Sequence, residues 1–162
     1  MINYNNFWSV LSNKPQATAL IKGNDTHPEI RGKVWFWQTE SGVIVAANII
    51  GLPKGEECKN PVFGFHIHEG AECTGEKTDN FKNVGAHYNP KGCTHPYHAG
   101  DMPALFGSGG QSFMMFLTDR FSVPQIVGKT VIIHAMPDDF HTQPSGNSGE
   151  KIACGEIKNL QA

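Results

Sequence analysis

Apolar and polar residues alternate along much of the chain, a pattern that predicts short β-strands. Each alternating or apolar run is bounded by glycine, proline, asparagine or aspartate, the residues that favour turns. The predicted strands cover residues 16–22, 29–38, 42–50, 62–68, 111–117, 130–134 and 151–158. Between the second and third of them, Glu40-Ser41-Gly42 is typical of a hairpin tip.

Two long segments, 69–110 and 135–150, lack any clear periodicity. Loops of this length are uncommon in a compact domain unless they carry function. No helical pattern of convincing length separates the strands. The pattern therefore predicts an all-β fold, a Greek-key β-sandwich or flattened barrel of about eight antiparallel strands with two long functional loops.

The N-terminus differs from the rest, because Phe7, Trp8, Val10 and Leu11 follow one another at helix-like spacing. We expect this segment to pack as a cap over the domain and assign it no function. The length of 162 residues fits one domain. We therefore predict an N-terminal extension over residues 1–14 and a single domain over residues 15–162.

Composition narrows the classes of partner. The net charge of −2 is spread evenly, without the basic stripe that tracks a phosphate backbone, so we expect no nucleic-acid partner. The longest apolar stretch, residues 42–52, is too short to span a bilayer, so we expect no membrane partner. No secretory leader is recognisable. We expect a cytoplasmic protein, although an exported form whose leader has been removed stays open.

Histidine is the most informative residue type, because seven of the eight lie between residues 66 and 141. On a strand, alternate side chains share a face, so His66 and His68 point together while Phe65 and Ile67 point into the core. Two imidazoles so placed can bind one metal ion. An isolated pair of this kind is also common among ordinary surface residues.

A second cluster lies in the loop that follows. It contains three histidines and one aspartate, His87, His95, His98 and Asp101. Such a set can form the tetrahedral site that zinc prefers, and the metal would offset the entropy of ordering the loop. The alternatives are that these side chains are solvated, or that the thiolate of Cys93 replaces one of them as a zinc ligand.

The third element is His134, which ends the apolar run 130–134. Alone it would be an ordinary boundary residue. Asp138, four residues later, could accept hydrogen bonds from metal-ligating imidazoles. Together the clusters hold six histidines and one aspartate as candidate ligands, too many for one tetrahedral site and enough for two. Imidazole-only ligation suits copper(II), and the mixed histidine and aspartate set suits zinc.

With these histidines, the chain resembles the copper/zinc superoxide dismutase family over roughly residues 15–159. The matching blocks are GFHIHEG at 64–70, GAHYNPKGCTHPYHAGDMP at 85–103, GKTVIIH at 128–134 and GNSGEKIACGEI at 146–157. The resemblance implies dismutation of superoxide to molecular oxygen and hydrogen peroxide by a redox-cycling copper next to a structural zinc. Superoxide would then be the small-molecule substrate.

The resemblance also implies a role for each matching residue, with one copper and one zinc per chain. The implied copper ligands are His66, His68, His87 and His134. The implied zinc ligands are His87, His95, His98 and Asp101. His87 would bridge the two metals, and Asp138 matches the family's carboxylate that ties a copper ligand to a zinc ligand.

The four cysteines allow three pairings if all are oxidised, and they could also be free thiols. The resemblance implies a disulfide between Cys73 and Cys154. This bond persists in cytosolic members of the family, so it does not decide the compartment. Cys58 and Cys93 are additional to the family's pair. Our hypothesis is that they form a second disulfide, which would join the zinc loop to the chain ahead of the copper-binding strand.

Lys151 departs from the family, which normally has arginine at this position beside the copper. Lysine keeps the positive charge that attracts an anion but lacks the planar guanidinium fork. With Lys151 and His87 as the predicted catalytic residues, we expect reduced but not abolished turnover. The loop before Lys151 is acidic at Asp138, Asp139 and Glu150, so electrostatic steering of superoxide is expected to be weaker than usual.

Two other functions stay open from the sequence. A copper-delivery protein on the same fold would bind copper with little dismutase activity, although such relatives commonly lack a copper ligand. A purely structural zinc-binding sandwich would make the His66, His68 and His134 set accidental. A homodimer is a further expectation, and the sequence does not identify its interface.

Overall fold

The structure, a computed structural model, describes residues 5–58 and 61–160. It is nearly all-β, which confirms the predicted class. The strands are β1 Ala17–Gly23, β2 Arg31–Thr39, β3 Gly42–Ile50, β4 Val62–Phe63, β5 Phe65–His68, β6 Leu105–Phe106, β7 Gln111–Thr118, β8 Thr130–His134 and β9 Lys151–Asn159. Two short helices, α1 Asn5–Ser12 and α2 Val123–Ile126, and a 3₁₀ turn at Lys82–Val84 complete the described elements.

Seven strands form one antiparallel sheet in the order β5-β8-β9-β1-β2-β3-β7, and β4 pairs with β6 in a second, small sheet. The hairpin between β2 and β3 closes as predicted, with Thr39 opposite Gly42. β9 lies beside β1, and β7 lies beside β3, so the chain crosses between distant strands as a Greek-key arrangement requires. These crossings bring β5 and β8 together at one end of the sheet.

The predicted strand 62–68 is two strands, because the chain changes partner at Gly64. Val62 and Phe63 pair with β6. At Gly64 the amide donates to Met136 O at 2.8 Å, and the carbonyl accepts from His134 N at 2.9 Å. The side chain of Ser148 fills the space that a Cβ on Gly64 would need. The alternation nevertheless continues through the break, since Phe65 is in the core and His66 faces the other way.

The core lies inside the curled sheet and is built from alternate residues of the long strands. It includes Val34 and Phe36 of β2 together with Val43, Val45, Ala47 and Ile49 of β3, all fully buried. Burial of each such side chain contributes about 1.5–3 kcal/mol. The core therefore forms a rigid support behind β5 and β8, the strands that carry His66, His68 and His134.

Helix α1 packs on the outer face of the sheet. Val10 and Leu11 contact the cluster of Trp37, Ile44 and Ala46, and the Trp37 indole donates to Asn13 O at 3.0 Å. The side chains of Phe7 and Trp8, which also belong to the predicted cap, lie outside the described residues. No helix among residues 5–58 and 61–160 is long and apolar enough to cross a membrane.

Candidate metal centre

Neighbouring strands carry the first group of histidines. β5 pairs with β8 in antiparallel register, with Phe65 opposite Ile133. This pairing brings His66 and His68 beside His134, and an isolated bridge between His68 and His87 adds a fourth imidazole from the long loop. One ring nitrogen from each of the four lies within 4.8 Å of the others, and all four residues are buried.

The second group surrounds the carboxylate of Asp101. His87 Nδ1 lies 2.7 Å from Asp101 Oδ1, while His95 Nδ1 and His98 Nδ1 lie 3.1 and 3.4 Å from Asp101 Oδ2. The His98 amide also donates to Asp101 Oδ2 at 3.0 Å, which orients the carboxylate. Three imidazole nitrogens thus converge on one carboxylate, and these four ligand atoms also lie within 4.8 Å of one another.

His87 belongs to both groups. Its Nδ1 faces Asp101, and its ring stacks on His66 with 3.9 Å between the ring centroids. Its Nε2 is buried and has no hydrogen-bond partner in the described part of the chain. The two groups are therefore adjacent, and the two nitrogens of one imidazole connect them.

Hydrogen bonds to the far side of each ring fix which nitrogen is free to bind a metal. A backbone carbonyl can only accept, so His68 Nδ1 donates to Gly85 O at 2.8 Å and His134 Nδ1 donates to Gly149 O at 3.2 Å. In a neutral ring the other nitrogen, Nε2, then carries a lone pair. These two Nε2 atoms lie 3.4 Å apart and both face the first group.

Asp138 fixes one ring in each group. Its Oδ2 is 2.7 Å from His66 Nε2, and its Oδ1 is 2.9 Å from His95 Nε2. An ionised carboxylate only accepts, so both Nε2 atoms carry hydrogen and both Nδ1 atoms present a lone pair. Partners of this kind orient metal-ligating imidazoles and raise their basicity. Asp138 therefore couples the two groups from outside.

Four buried nitrogens provide the test of whether the residues fit metal ions. His66 Nδ1, His87 Nε2, His95 Nδ1 and His98 Nδ1 lack a hydrogen bond within the described chain. The last two lie 3.1 and 3.4 Å from Asp101 Oδ2 but do not form a hydrogen bond with it. Burying such atoms without a partner costs about 1–3 kcal/mol each, a cost that a metal ion would remove. The donor sets thus fit one imidazole-rich site and one mixed histidine and aspartate site.

Burial keeps three histidines of the first group neutral. Desolvation lowers the pKa of His66 to about 4, although the hydrogen bond to Asp138 opposes the shift. Desolvation, with a contribution from His66, lowers the pKa of His134 to about 3. Burial and the neighbouring His87 hold the pKa of His68 well below its usual value. Neutral imidazole is the form that binds a metal, so these residues are ready to bind at neutral pH.

The carboxylates stay ionised for a different reason. Burial alone would raise the pKa of Asp138, but hydrogen bonds from His66, from the Phe140 amide and from His95 together lower it. For Asp101, burial is likewise outweighed by the hydrogen bond from His87 and by the nearby His95 and His98, so its pKa is lowered. Both aspartates therefore present negative charge to the histidines.

An open cavity of about 590 Å³, which we call the histidine pocket, gives access to the first group. His68, His87 and His134 form its floor, and Lys151 lies in its wall at the start of β9. Two acidic residues, Asp79 and Glu150, line the same pocket. Lys151 is its only lysine or arginine among the described lining residues, so the local positive charge is small.

The sequence does not indicate two further residues that contact this region, Asp79 and Arg120. Asp79 forms an ion pair with Lys151, at 2.5 Å between Oδ2 and Nζ. Arg120 Nη1 donates to three backbone carbonyls of the second group's loop, those of Pro96, His98 and Asp101, at 2.8, 3.2 and 3.1 Å. Both contacts join residues far apart in the chain, and no local spacing signals them.

The cysteines form one disulfide. Cys73 and Cys154, 81 residues apart, are bonded and so tie the long loop to β9. The hypothesised second disulfide is absent, because Cys58 and Cys93 are free thiols. Cys93 is held within its own loop by two hydrogen bonds with Asn89, of 2.8 and 2.9 Å, whereas Cys58 is exposed in a separate turn. The backbone of Cys93 is thus held within a different loop from the one that carries Cys58.

Comparisons with known proteins agree with this geometry. The copper/zinc superoxide dismutase family matches residues 30–157, well over half of the chain. Copper–zinc superoxide dismutase 2 of Aquifex aeolicus (strain VF5) is 36% identical over 149 residues, which cover 83% of this chain and 82% of that protein. Copper–zinc superoxide dismutase of Legionella pneumophila is 33% identical over 149 residues, with 87% and 86% covered.

Proposed function

The chain belongs to the copper/zinc superoxide dismutase family, and from that membership we propose which of its residues carry the dismutation of superoxide. Superoxide is the substrate, and the products are molecular oxygen and hydrogen peroxide. The two buried groups fit one copper and one zinc per chain. The observation that carries the assignment of residues is that the groups share His87.

The first group is assigned to copper. The proposed ligands are His66, His68, His87 and His134. Support comes from the donor atoms, since all four are imidazole nitrogens, which suit copper(II). Bound there, copper supplies the one-electron redox change on which dismutation depends. The chain fixes the rings of His66, His68 and His134 through Asp138, Gly85 and Gly149, and burial keeps these three rings neutral.

The second group is assigned to zinc. The proposed ligands are His87, His95, His98 and Asp101. Three imidazoles and one carboxylate are typical of a closed tetrahedral zinc site. We assign this site a structural role, because it orders the loop that carries His87. Asp138 then keeps the two sites in a fixed relation by holding His66 and His95.

His87 and Lys151 are assigned the catalytic roles. Dismutation of two superoxide ions consumes two protons, and we assign the transfer of one of them to His87 Nε2, a buried copper-ligand atom that has no hydrogen-bond partner within the described chain. Water supplies the other. Lys151, in the wall of the histidine pocket, attracts the anion with its ammonium charge. It lacks the fork of arginine, so reduced turnover stays a prediction.

Three further properties are predicted from the sequence alone. They are a homodimer, a cytoplasmic location, and a single domain over residues 15–162 with residues 1–14 as an extension. The Cys73–Cys154 disulfide does not decide the compartment, because cytosolic members of the family retain this bond.

The ligand assignment is tested with one histidine from each group. After dialysis against copper and zinc, His134→Gln is expected to lose most of its copper and keep its zinc. The zinc affinity of His95→Gln is expected to fall by about tenfold or more. His141→Gln is the matched control, since its side chain is 80% exposed and belongs to neither group. Equal metal contents in all three variants would refute the assignment.

A further inference from the structure

The ion pair between Lys151 and Asp79 occupies the wall of the histidine pocket. Lys151 carries the only ammonium among the described residues that line this pocket, and its side chain is only 17% exposed. Asp79 Oδ2 lies 2.5 Å from Lys151 Nζ. The positive charge that would attract a small anion is therefore already matched by a carboxylate inside the same pocket.

Asp79 is placed by its own loop and does not depend on Lys151. Its backbone exchanges two hydrogen bonds with Glu76, of 2.9 and 3.0 Å, and its Oδ1 accepts from the Phe81 amide at 3.1 Å. The disulfide from Cys73 to Cys154 ties this loop to β9, the strand that Lys151 begins. These contacts hold the Asp79 carboxylate at the position where it meets the Lys151 ammonium.

The other acid of the pocket does not contact the lysine side chain. Glu150 Oε1 accepts from Asn24 Nδ2 at 2.9 Å and is held away on that amide. Asp79 is thus the acid in direct contact with the Lys151 ammonium. One lysine faces two carboxylates in the pocket lining, which makes the formal charge of the wall negative.

We propose that Asp79 competes with incoming anions for the Lys151 ammonium and so lowers the affinity of the histidine pocket for small anions. This inference rests on the proposed copper site. Asp79 is a positioning residue that acts through Lys151 and also repels an anion directly. A lysine has three donors, so the pair weakens the attraction without abolishing it.

The test is azide binding to the copper- and zinc-loaded protein, measured through the azide-dependent absorption change. Asp79→Asn is expected to tighten azide binding by about two- to fivefold, the range that exposed ion pairs usually span. It should also steepen the fall of the superoxide decay rate with ionic strength, because the wall becomes more positive. Asp79→Glu should restore the original azide affinity.

Two matched variants separate this role from a general effect of charge. Glu76→Gln removes the same charge from the same loop, but Glu76 pairs with Lys82, and neither residue lines the pocket. It should leave azide affinity unchanged. In a Lys151→Gln background, Asp79→Asn should have a smaller effect, since only direct repulsion remains.

The outcomes distinguish this inference from the proposed function. Equal or weaker azide binding in Asp79→Asn would overturn the role of Asp79, and so would an equal effect in both Lys151 backgrounds. If the original protein shows no azide-dependent absorption after copper and zinc loading, the copper assignment itself fails.

Discussion

Gly146 lies directly against the carboxylate of Asp138, so closely that a Cβ at Gly146 would overlap Asp138 Oδ1. The same atom would crowd His95 Nε2 at 2.7 Å. The backbone of Gly146 also has a φ of +69°, a conformation that glycine adopts at little cost. The Asp138 carboxylate, which links the two metal groups, can therefore occupy its position only because residue 146 is a glycine and has no Cβ.

Gly146→Ala is expected to displace Asp138 and to weaken zinc binding by about ten- to a hundredfold, the usual loss when such an outer partner is disturbed. Gly128→Ala is the control, because its φ of +82° gives the same backbone strain and its Cβ would meet nothing within 4 Å. The backbone conformation alone should cost each variant about 1–2 kcal/mol of unfolding free energy, and Gly146→Ala should lose more because Asp138 is displaced. Competition with a chromogenic chelator measures the zinc affinity, and equal affinities in the two variants would contradict the role of Gly146.

Arg120 organises the zinc loop through its backbone, because one guanidinium nitrogen holds the carbonyls of Pro96, His98 and Asp101. Arg120→Gln should lower zinc affinity by about tenfold, since the loop must then be ordered by the metal alone. Copper affinity should change little. Arg31→Gln is a charge-matched control on the exposed start of β2. The same zinc affinity in both variants would show that Arg120 is not needed to order the loop.

The sequence predicts the metal groups better than the surroundings that tune them. The spacing of His66 and His68 on a strand, and of His95, His98 and Asp101 in a loop, is local, so it is visible without a structure. The break at Gly64 is hidden, because apolar alternation runs through it and the change of partner depends on β6. The contact of Asp79 with Lys151 spans 72 residues, so no local pattern in the sequence signals it.

The cysteines illustrate the same limit. The resemblance to the family indicates the Cys73–Cys154 bond, and the structure contains it. Pairing Cys58 with Cys93 is the simplest use of the remaining two cysteines, but counting residues carries no information on where each one lies in the fold. The hydrogen bonds of Cys93 with Asn89 decide where its loop sits.

Removal of the disulfide should strongly destabilise the metal-free protein. Cys73→Ser opens a link between residues 81 apart, and the chain-entropy model gives a loss of about 4.5 kcal/mol for such a loop. Cys93→Ser should cost far less, because Cys93 is a free thiol. Urea unfolding measures both. An equal loss in Cys93→Ser, or fewer than two thiols titrated in the oxidised, unfolded chain, would restore the second disulfide.

The metal-free protein should lose stability as pH falls from about 6.5 toward 4. The folded pKa of His66 is about 4 and that of His134 is about 3, against 6.5 when unfolded, so the unfolded chain binds more protons in this window. Each buried histidine contributes a slope of up to about 1.4 kcal/mol per pH unit. The stability is fully present above pH 6.5.

Urea unfolding at a series of pH values measures this slope. His134→Gln removes one of the titrating groups and should reduce the slope by about one proton. A free energy of unfolding that does not change across the window would contradict the burial of these imidazoles. Metal affinity should also fall as the pH falls, because protons compete with metal for the ring nitrogens.

We expect copper held in the histidine pocket to carry the dismutation of superoxide by this chain. Stopped-flow measurement of superoxide decay tests it most directly, comparing metal-free protein, protein carrying zinc alone, and protein carrying one copper and one zinc. We expect rapid decay with copper and zinc, and decay no faster than the buffer control in the other two samples. Full copper occupancy with a rate no higher than that of His134→Gln treated in the same way would contradict it.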